Sequence, residues 1–337
     1  MMTKARVCIL LLLFWFVWGA WIGNGRCEEK ELFQVIERRV IMGTSIEIQV
    51  LAPSQAVGQT ALEAAMAEIQ RIDALMSTYR SDSEIQAINR QAGKSPVPVS
   101  TETWSVVQKA VQMSNLTGGA FDITYKPLWT LWQQSGSLAP PVNKDIVETL
   151  KLVGSKNITF SAENRTIFLS VPGMNIDLGG IAKGYAVDCA IQILKNHGLE
   201  HAIVNAGGDL RAIGHKQDRA WTAGIRHPRS KKEIIATLPV QDEALVTSGD
   251  YERYLIINGK KYAHILDPRT GYPVQHVVSV TVIAPTALEA DAFSTAIFVL
   301  GSRDGIALAN TIPTIEALVI DSQGTLFRTE GLKLTIK

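Results

Sequence analysis

The stretch Tyr254-Leu255-Ile256-Ile257-Asn258-Gly259-Lys260-Lys261-Tyr262-Ala263-His264-Ile265 decides the fold class. Asn258-Gly259 is the strongest local hairpin signal in the chain, because both residue types tolerate the left-handed backbone of a tight antiparallel turn. It predicts strands over 254–257 and 261–265. Working outward, residues 35–50 alternate loosely through Val35, Val40, Ile46, Ile48 and Val50, and predict paired strands around Met42-Gly43-Thr44. Over 54–76 the period becomes helical, with Ala61, Leu62, Ala65, Ile69, Ile72 and Leu75 on one face. Further helices are expected at about 101–115 (capped by Ser100 or Thr101), 143–152, 181–197 and 286–300. Short strands are expected at 158–160 and 166–171, a buried one at 201–205, several more up to Val282, and two that close the chain. Residues 136–141 read as a surface loop. Helices and antiparallel hairpins are mixed throughout. The expectation is therefore one α+β domain over 30–337 with antiparallel sheets and packed helices, not a parallel doubly wound sheet.

Composition narrows the function. Lys and Arg number 33 against 32 Asp and Glu, so the net charge is +1 and supplies no field for nucleic acid or anionic lipid. At 46% hydrophobic residues the chain can bury a large core and is not disordered. Three cysteines cannot build a disulfide framework, and nothing in the sequence brings Cys27 and Cys189 together.

Lys4 and Arg6 precede an apolar run over 7–22 that contains Phe14, Trp15, Phe16 and Trp18. As a helix it reaches about 24 Å at roughly 1.5 Å per residue, short of the ~30 Å hydrocarbon core but suited to a signal-peptide core or a short anchor. Residues 1–27 are therefore expected to be a signal peptide or membrane anchor. Positive charge before the run keeps the N-terminus cytoplasmic and exports the rest of the chain, to the periplasm or the periplasmic face of the inner membrane. Asn24-Gly25-Arg26 matches a lipidation signal at Cys27 poorly, so ordinary cleavage or an uncleaved anchor is at least as well supported.

Four stretches break the ordinary pattern. Asn175-Ile176-Asp177-Leu178-Gly179-Gly180-Ile181-Ala182-Lys183-Gly184 ends a strand on Asp177, turns on two glycines and starts a helix. Free N–H groups at a helix start attract phosphate, although a plain strand-to-helix turn explains the same letters and the dinucleotide spacing is missing. Asn205-Ala206-Gly207-Gly208-Asp209 follows a buried strand, and its glycines allow close approach by either a ligand or a neighbouring strand. Gly118-Gly119-Ala120-Phe121-Asp122 reads first as a helix stop and second as a seat for a planar ring. In Ala287-Leu288-Glu289-Ala290-Asp291-Ala292-Phe293-Ser294-Thr295-Ala296, Asp291 and Thr295 lie four apart on one helical face. Their hard oxygens suit Mg²⁺; a local Thr–Asp hydrogen bond is the plainer alternative. Apolar neighbours suggest a buried helix, where an unpaired carboxylate is costly. Among the six histidines, His264 precedes Ile265-Leu266-Asp267-Pro268-Arg269-Thr270-Gly271 and is either a surface residue or a base. The others lack zinc-ligand spacing.

In order, Met42-Gly43-Thr44, Met76-Ser77-Thr78-Tyr79 with Asp82-Ser83-Glu84, Gly119-Ala120-Phe121-Asp122, Asp177 to Gly184, Asn205 to Asp209, Thr247-Ser248-Gly249-Asp250-Tyr251, His264 to Gly271 and the helix bearing Asp291 and Thr295 resemble the FAD:protein FMN transferase family, also called ApbE. The resemblance spans most of 40–300 and implies the T-fold-like architecture of that family. It implies an enzyme that cleaves FAD, attaches FMN through a phosphoester to a Thr or Ser of a target protein and releases AMP. Met42, Tyr79, Ala120, Phe121, Asp122, Asp177, Lys183 and Ile265 would line the FAD. The Gly180 carbonyl, the Asp291 carboxylate and the Thr295 hydroxyl would hold Mg²⁺, with His264 as base and Asp291 catalytic. The implied acceptor carries a Ser/Thr-Gly-Ala-Thr-like segment, often on a membrane electron-transport subunit. Two rivals use the same residues: an FAD pyrophosphatase yielding FMN and AMP, and an exported FAD-binding protein without chemistry.

Overall fold

Met42 and Gly43 join β1 (Phe33–Ile41) to β2 (Thr44–Ala52). Both turn residues have positive φ, 55° and 71°, as a two-residue mirror-image turn requires. In β2, Ile46, Ile48 and Val50 are buried on one face while Glu47 and Gln49 point to the other, the period-two pattern of a strand whose two faces meet different environments. The computed structural model describes residues 32–336, apart from 137 and 231. Expectations for the N-terminal segment, including Cys27, lie outside the described residues.

This hairpin opens an eight-stranded sheet. Its remaining strands are β6 (His201–Ala206), β7 (Asp209–Ile213), β10 (Ala244–Gly249), β13 (Val277–Ala284), β14 (Glu316–Asp321) and β15 (Leu326–Arg328), in the order β1-β2-β6-β7-β10-β13-β14-β15. Every neighbouring pair is antiparallel, as the hairpin signals require. One face is covered by three helices, α1 (Gln55–Met76), α6 (Ala182–Asn196) and α7 (Ala287–Asn310). The Ser54 hydroxyl caps α1 by accepting from the Val57 N–H, and Ala61, Leu62, Ala65, Ile69 and Ile72 all go inward. Helix α7 is long and apolar enough to cross a membrane, but it packs on β10, β13, β14 and α6 as a core helix. It departs from helical geometry at Gly301, where φ is 88°. The helix expected to end near residue 300 therefore breaks there and resumes.

On the other face lies a three-stranded sheet, β16 (Thr335–Ile336), β9 (Ile234–Val240) and β8 (Trp221–Arg226), in that order. Leu210, Trp221, Ile225, Leu238, Leu245 and Leu318 form the layer between the sheets. A small sheet of β3 (Val97–Pro98), β5 (Thr166–Leu169) and β4 (Ile158–Ser161) lies apart from the main one. Helices α2 (Glu84–Arg90) and α3 (Thr101–Leu116) complete this side, and the Ser100 hydroxyl caps α3 by accepting from the Thr103 N–H.

The Asn258-Gly259 hairpin forms as expected, but between β11 (Tyr254–Ile257) and β12 (Lys260–Ala263). Its second strand ends before His264, whose N–H and ring both bond back to the Arg253 carbonyl. This hairpin packs on α4 (Lys126–Gln134) and α5 (Asn143–Leu150) through Leu128, Trp132, Ile146, Ile257 and Leu266. The Trp132 indole N–H donates to the Gly271 carbonyl at 2.9 Å.

Candidate functional site

A cavity of about 860 Å³ opens between the helix layer and the β11–β12 hairpin. Every candidate site residue read from the sequence lines it: Met42, Tyr79, Ala120, Phe121, Asp122, Asp177, Gly180, Lys183, His264, Ile265, Asp291 and Thr295. They arrive from the β1–β2 turn, the loops after α1 and α3, the start of α6, the end of the hairpin and the first turns of α7. A volume of this size suits a large organic ligand.

The floor is acidic and dry. Asp291 and Asp209 are each 2% exposed. The Lys183 ammonium stands between them, bonded to Asp209 and 3.8 Å from Asp291, and the Gly184 N–H donates to Asp291 at 3.2 Å. Burial, and then the charge of Asp209, push the Asp291 carboxyl well above the usual carboxylate range. Burial works against the Lys183 charge too, but the two carboxylates outweigh it and raise that amine. Helices α6 and α7 can bring these groups together because position 184 lacks a side chain. A Cβ there would land on the Ala287 carbonyl.

Beside this pair a Cβ on Gly180 would lie 3.1 Å from the Thr295 hydroxyl and 3.3 Å from the Phe121 ring. The missing side chain leaves a cradle bounded by a backbone, a hydroxyl and an aromatic edge. Asp291 and Thr295 lie four residues apart on α7, and Gly180 adjoins the Thr295 hydroxyl, so this corner offers oxygen donors only. No cluster of three or more His, Cys, Asp or Glu side chains capable of holding a metal occurs among the described residues. A carboxylate, a hydroxyl and a backbone carbonyl are donors of the kind Mg²⁺ accepts, since it takes few protein ligands and fills its shell from phosphate and water.

His264 is half-buried beside the cavity. Burial, before any other cause, pushes its imidazole down to about 4. Its Nδ1 lies 2.9 Å from the Arg253 carbonyl, which can only accept. Nδ1 therefore carries the hydrogen and Nε2 keeps a free lone pair.

The remaining walls divide by task. Asp177 accepts from Lys126 at 2.9 Å, from Thr78 at 3.2 Å and from the Gly179 N–H at 2.8 Å. Two of the three glycine N–H groups in the first stretch, those of Gly179 and Gly184, are thus taken by the protein itself, in keeping with the plain-turn reading. Asp122 spends its carboxylate on Ser114, on the Thr124 N–H and hydroxyl, and on the Ser155 N–H. Its job there is structural, and it meets the cavity only alongside those bonds. Gly118 and Gly119 have φ of 58° and 78°, and the Gly119 N–H closes on the Ser114 carbonyl, so the helix-stop reading holds. In the second stretch, a Cβ at Gly207 would land on Thr44, so a neighbouring strand needs that glycine. Phe121 is 3% exposed and forms wall, whereas Tyr79 is 80% exposed at the rim with the Lys126 ammonium 5.7 Å from its ring centre.

Sequence reading passed over Lys126, Tyr125, Trp129 and Arg253, which also line the cavity, and named no role for Asp209. The Lys126-Pro127 start of α4, with Leu128 and Trp132 four apart, carried a helix signal.

A family model described as the ApbE family matches residues 42–319. The chain is 34% identical over 305 residues to the FAD:protein FMN transferase of Vibrio cholerae, covering 87% of this chain and 90% of that protein. It is 33% identical over 317 residues to the one from Treponema pallidum, 88% of each chain. Among solved structures, the ApbE protein of Thermotoga maritima superposes with a TM-score of 0.81 at 38% identity, covering 89% of this chain and 97% of that one. The flavinyl transferase ApbE of Pseudomonas stutzeri gives 0.77 at 30% identity, with 89% and 95% covered.

Proposed function

The chain belongs to the ApbE family, and on that premise we propose that it is a Mg²⁺-dependent FAD:protein FMN transferase. The observation that carries the reading is the dry Asp291–Lys183–Asp209 floor, set beside the Gly180–Thr295 cradle in a cavity large enough for a dinucleotide.

A Thr or Ser hydroxyl of the acceptor attacks the phosphorus that carries riboflavin. A new P–O ester bond forms to the acceptor. The bond from that phosphorus to the bridging oxygen breaks, and its electron pair leaves with AMP. The hydroxyl proton passes to His264 Nε2, which is unprotonated well below neutral pH because burial holds the ring at about 4. Lys183 places a fixed cation at the floor, where transferring phosphate gathers charge, and the Gly184 N–H holds Asp291 in position. The Gly180 carbonyl, Asp291 and Thr295 would hold Mg²⁺, which supplies Lewis-acid stabilisation of the phosphate charge when bound. Tyr79 and Lys126 at the rim meet the ligand's aromatic or anionic parts. The 7–22 segment supports export and membrane attachment at its outer face, which suits an acceptor on a membrane electron-transport subunit.

Purified protein is incubated with FAD and Mg²⁺, with and without a peptide bearing a Ser/Thr-Gly-Ala-Thr-like segment, while AMP and peptide mass are followed. Peptide gaining the FMN mass in step with AMP, and losing both with EDTA, is the expected outcome. AMP and free FMN regardless of peptide would instead make it a pyrophosphatase. FAD retained without AMP would leave a binding protein.

A further inference from the structure

The sheet face turned away from the helices is only partly covered. The β16-β9-β8 sheet spans it over β7, β10 and β14 through the Leu210, Trp221, Leu245 and Leu318 layer. It stops at β8, which pairs with β9 and, among the described residues, with no other strand. Beyond that edge Glu47, Gln49, Ile203 and Asn205 of β2 and β6 line a second cavity of about 240 Å³, and Thr222, Gly224 and Arg226 of β8 form its wall. All three β8 residues are exposed.

The register tells which backbone groups face this groove. Thr222 lies opposite Pro239, and proline has no N–H to give its neighbour. That position therefore falls on a non-hydrogen-bonded pair, and the bonds to β9 fall on Trp221, Ala223 and Ile225. The amides and carbonyls of Thr222 and Gly224 point outward, into the groove. Unpaired edge groups of this kind are a template for another extended chain. The groove also adjoins the reaction cavity, since Gly207, Thr247 and Glu252 line both. At Gly208 a Cβ would meet nothing nearer than the Thr247 carbonyl at 3.9 Å, so a backbone has room to lie close there.

We infer that the free edge of β8 is the docking strand for the protein acceptor. An extended acceptor segment adds beside Thr222 and Gly224, crosses Glu47, Gln49, Ile203 and Asn205, and delivers its Ser or Thr past Gly207 and Thr247 to the phosphate site. Recognition is then mainly through the main chain, and sequence demand concentrates on the few residues that enter the cavity. This inference rests on the transferase reading.

The test uses the Ser/Thr-Gly-Ala-Thr-like peptide. Thr222→Pro removes the outward N–H at an edge position where proline spares the ladder, and Thr222→Val keeps that N–H. Losing the edge bonds is expected to raise the KM for peptide about tenfold or more, with the KM for FAD unchanged and Thr222→Val near wild type. Wild-type KM for peptide in Thr222→Pro overturns the inference. Hydrogen exchange on the wild-type protein needs neither variant nor turnover: peptide should slow the Thr222 and Gly224 amides severalfold. No slowing there overturns docking at β8. Slowing without peptide, together with a dimer mass, assigns the edge to a second copy and also overturns it. If the wild type modifies no peptide yet these amides still slow, the transferase reading fails while the docking edge stands.

Discussion

The floor and the rim of the main cavity are built in opposite ways. The floor hangs from α6, α7 and the start of β7, the two helices so close that Gly184 has no space for a side chain, and its carboxylates at 209 and 291 are almost wholly hidden. The rim is made of loops and a hairpin, and there Tyr79 is 80% and Tyr254 49% exposed. A buried, mutually bonded cluster holds charge in fixed positions, as stabilising a developing phosphate charge demands. Exposed aromatic side chains on connecting segments bind and release with little cost to the fold. The contrast assigns rate to the floor and affinity to the rim.

Asp291→Ala offers the largest effect with which to break this contrast. It removes the carboxylate that the proposed Mg²⁺ site and Lys183 share. AMP release is expected to fall by at least the order of 10²–10³ typical of one lost charge-stabilising group, while FAD binding by equilibrium dialysis persists. Loss of binding in parallel with rate would show that the floor also carries affinity. His264→Gln ranks next, with a loss on the order of 10²-fold in kcat, as for a positioned general base. The pH profile sharpens the point. Burial depresses this imidazole to about 4 from its ordinary 6.5, so the base form persists down to that pH. The acid limb of kcat/KM attributable to His264 should therefore lie near pH 4, not at 6–7. For stability the sign is the same. The unfolded chain takes up the proton below about 6.5 and the native state not until about 4, so this site's contribution is full above that window and fades as pH falls through it. A limb near 6.5 that vanishes in His264→Gln would mean the ring is open to water and belongs with the rim.

Gly184→Ala asks whether the floor is rigid for the reason given. Its Cβ would meet the Ala287 carbonyl, which is backbone and cannot swing aside. Thermal denaturation should report a loss of about 1–3 kcal/mol, the usual cost of overpacking. Unchanged stability would show that α6 and α7 have slack.

The same contrast explains what was legible in the sequence. Floor residues sit on regular elements whose period is written in the chain: Asp291 and Thr295 four apart on an apolar helix, and Gly-Gly before α6. Turn chemistry at Met42-Gly43 and Asn258-Gly259 likewise gave both hairpins and the antiparallel sheet. The pairing of Asp209 with Lys183 was not legible, because 26 residues and a change of element separate them. Nor was the structural use of Asp122, whose partners Ser114 and Ser155 come from two other segments. The seven residues of α2 make barely two turns, too few for a period to emerge, whereas α4 was passed over although Pro127 and the Leu128–Trp132 spacing mark it.

Tyr79→Ala is the smallest change and the most direct probe of the rim. The side chain is largely in water, so its removal should leave the fold and the melting temperature unaltered. What it contributes is a ring face beside the Lys126 ammonium, 5.7 Å from its centre, and exposed contacts of that kind are worth about 0.5–1 kcal/mol. That corresponds to roughly a two- to five-fold rise in the KM for FAD, with kcat held. Lys126 is also tied to Asp177 at 2.9 Å, so the ammonium keeps its place when the ring is gone and the double change with Lys126→Met should exceed the single one. A fall in kcat at constant KM would place Tyr79 with the chemistry, despite its exposure, and would erase the division between floor and rim at the one position where the two are most unlike.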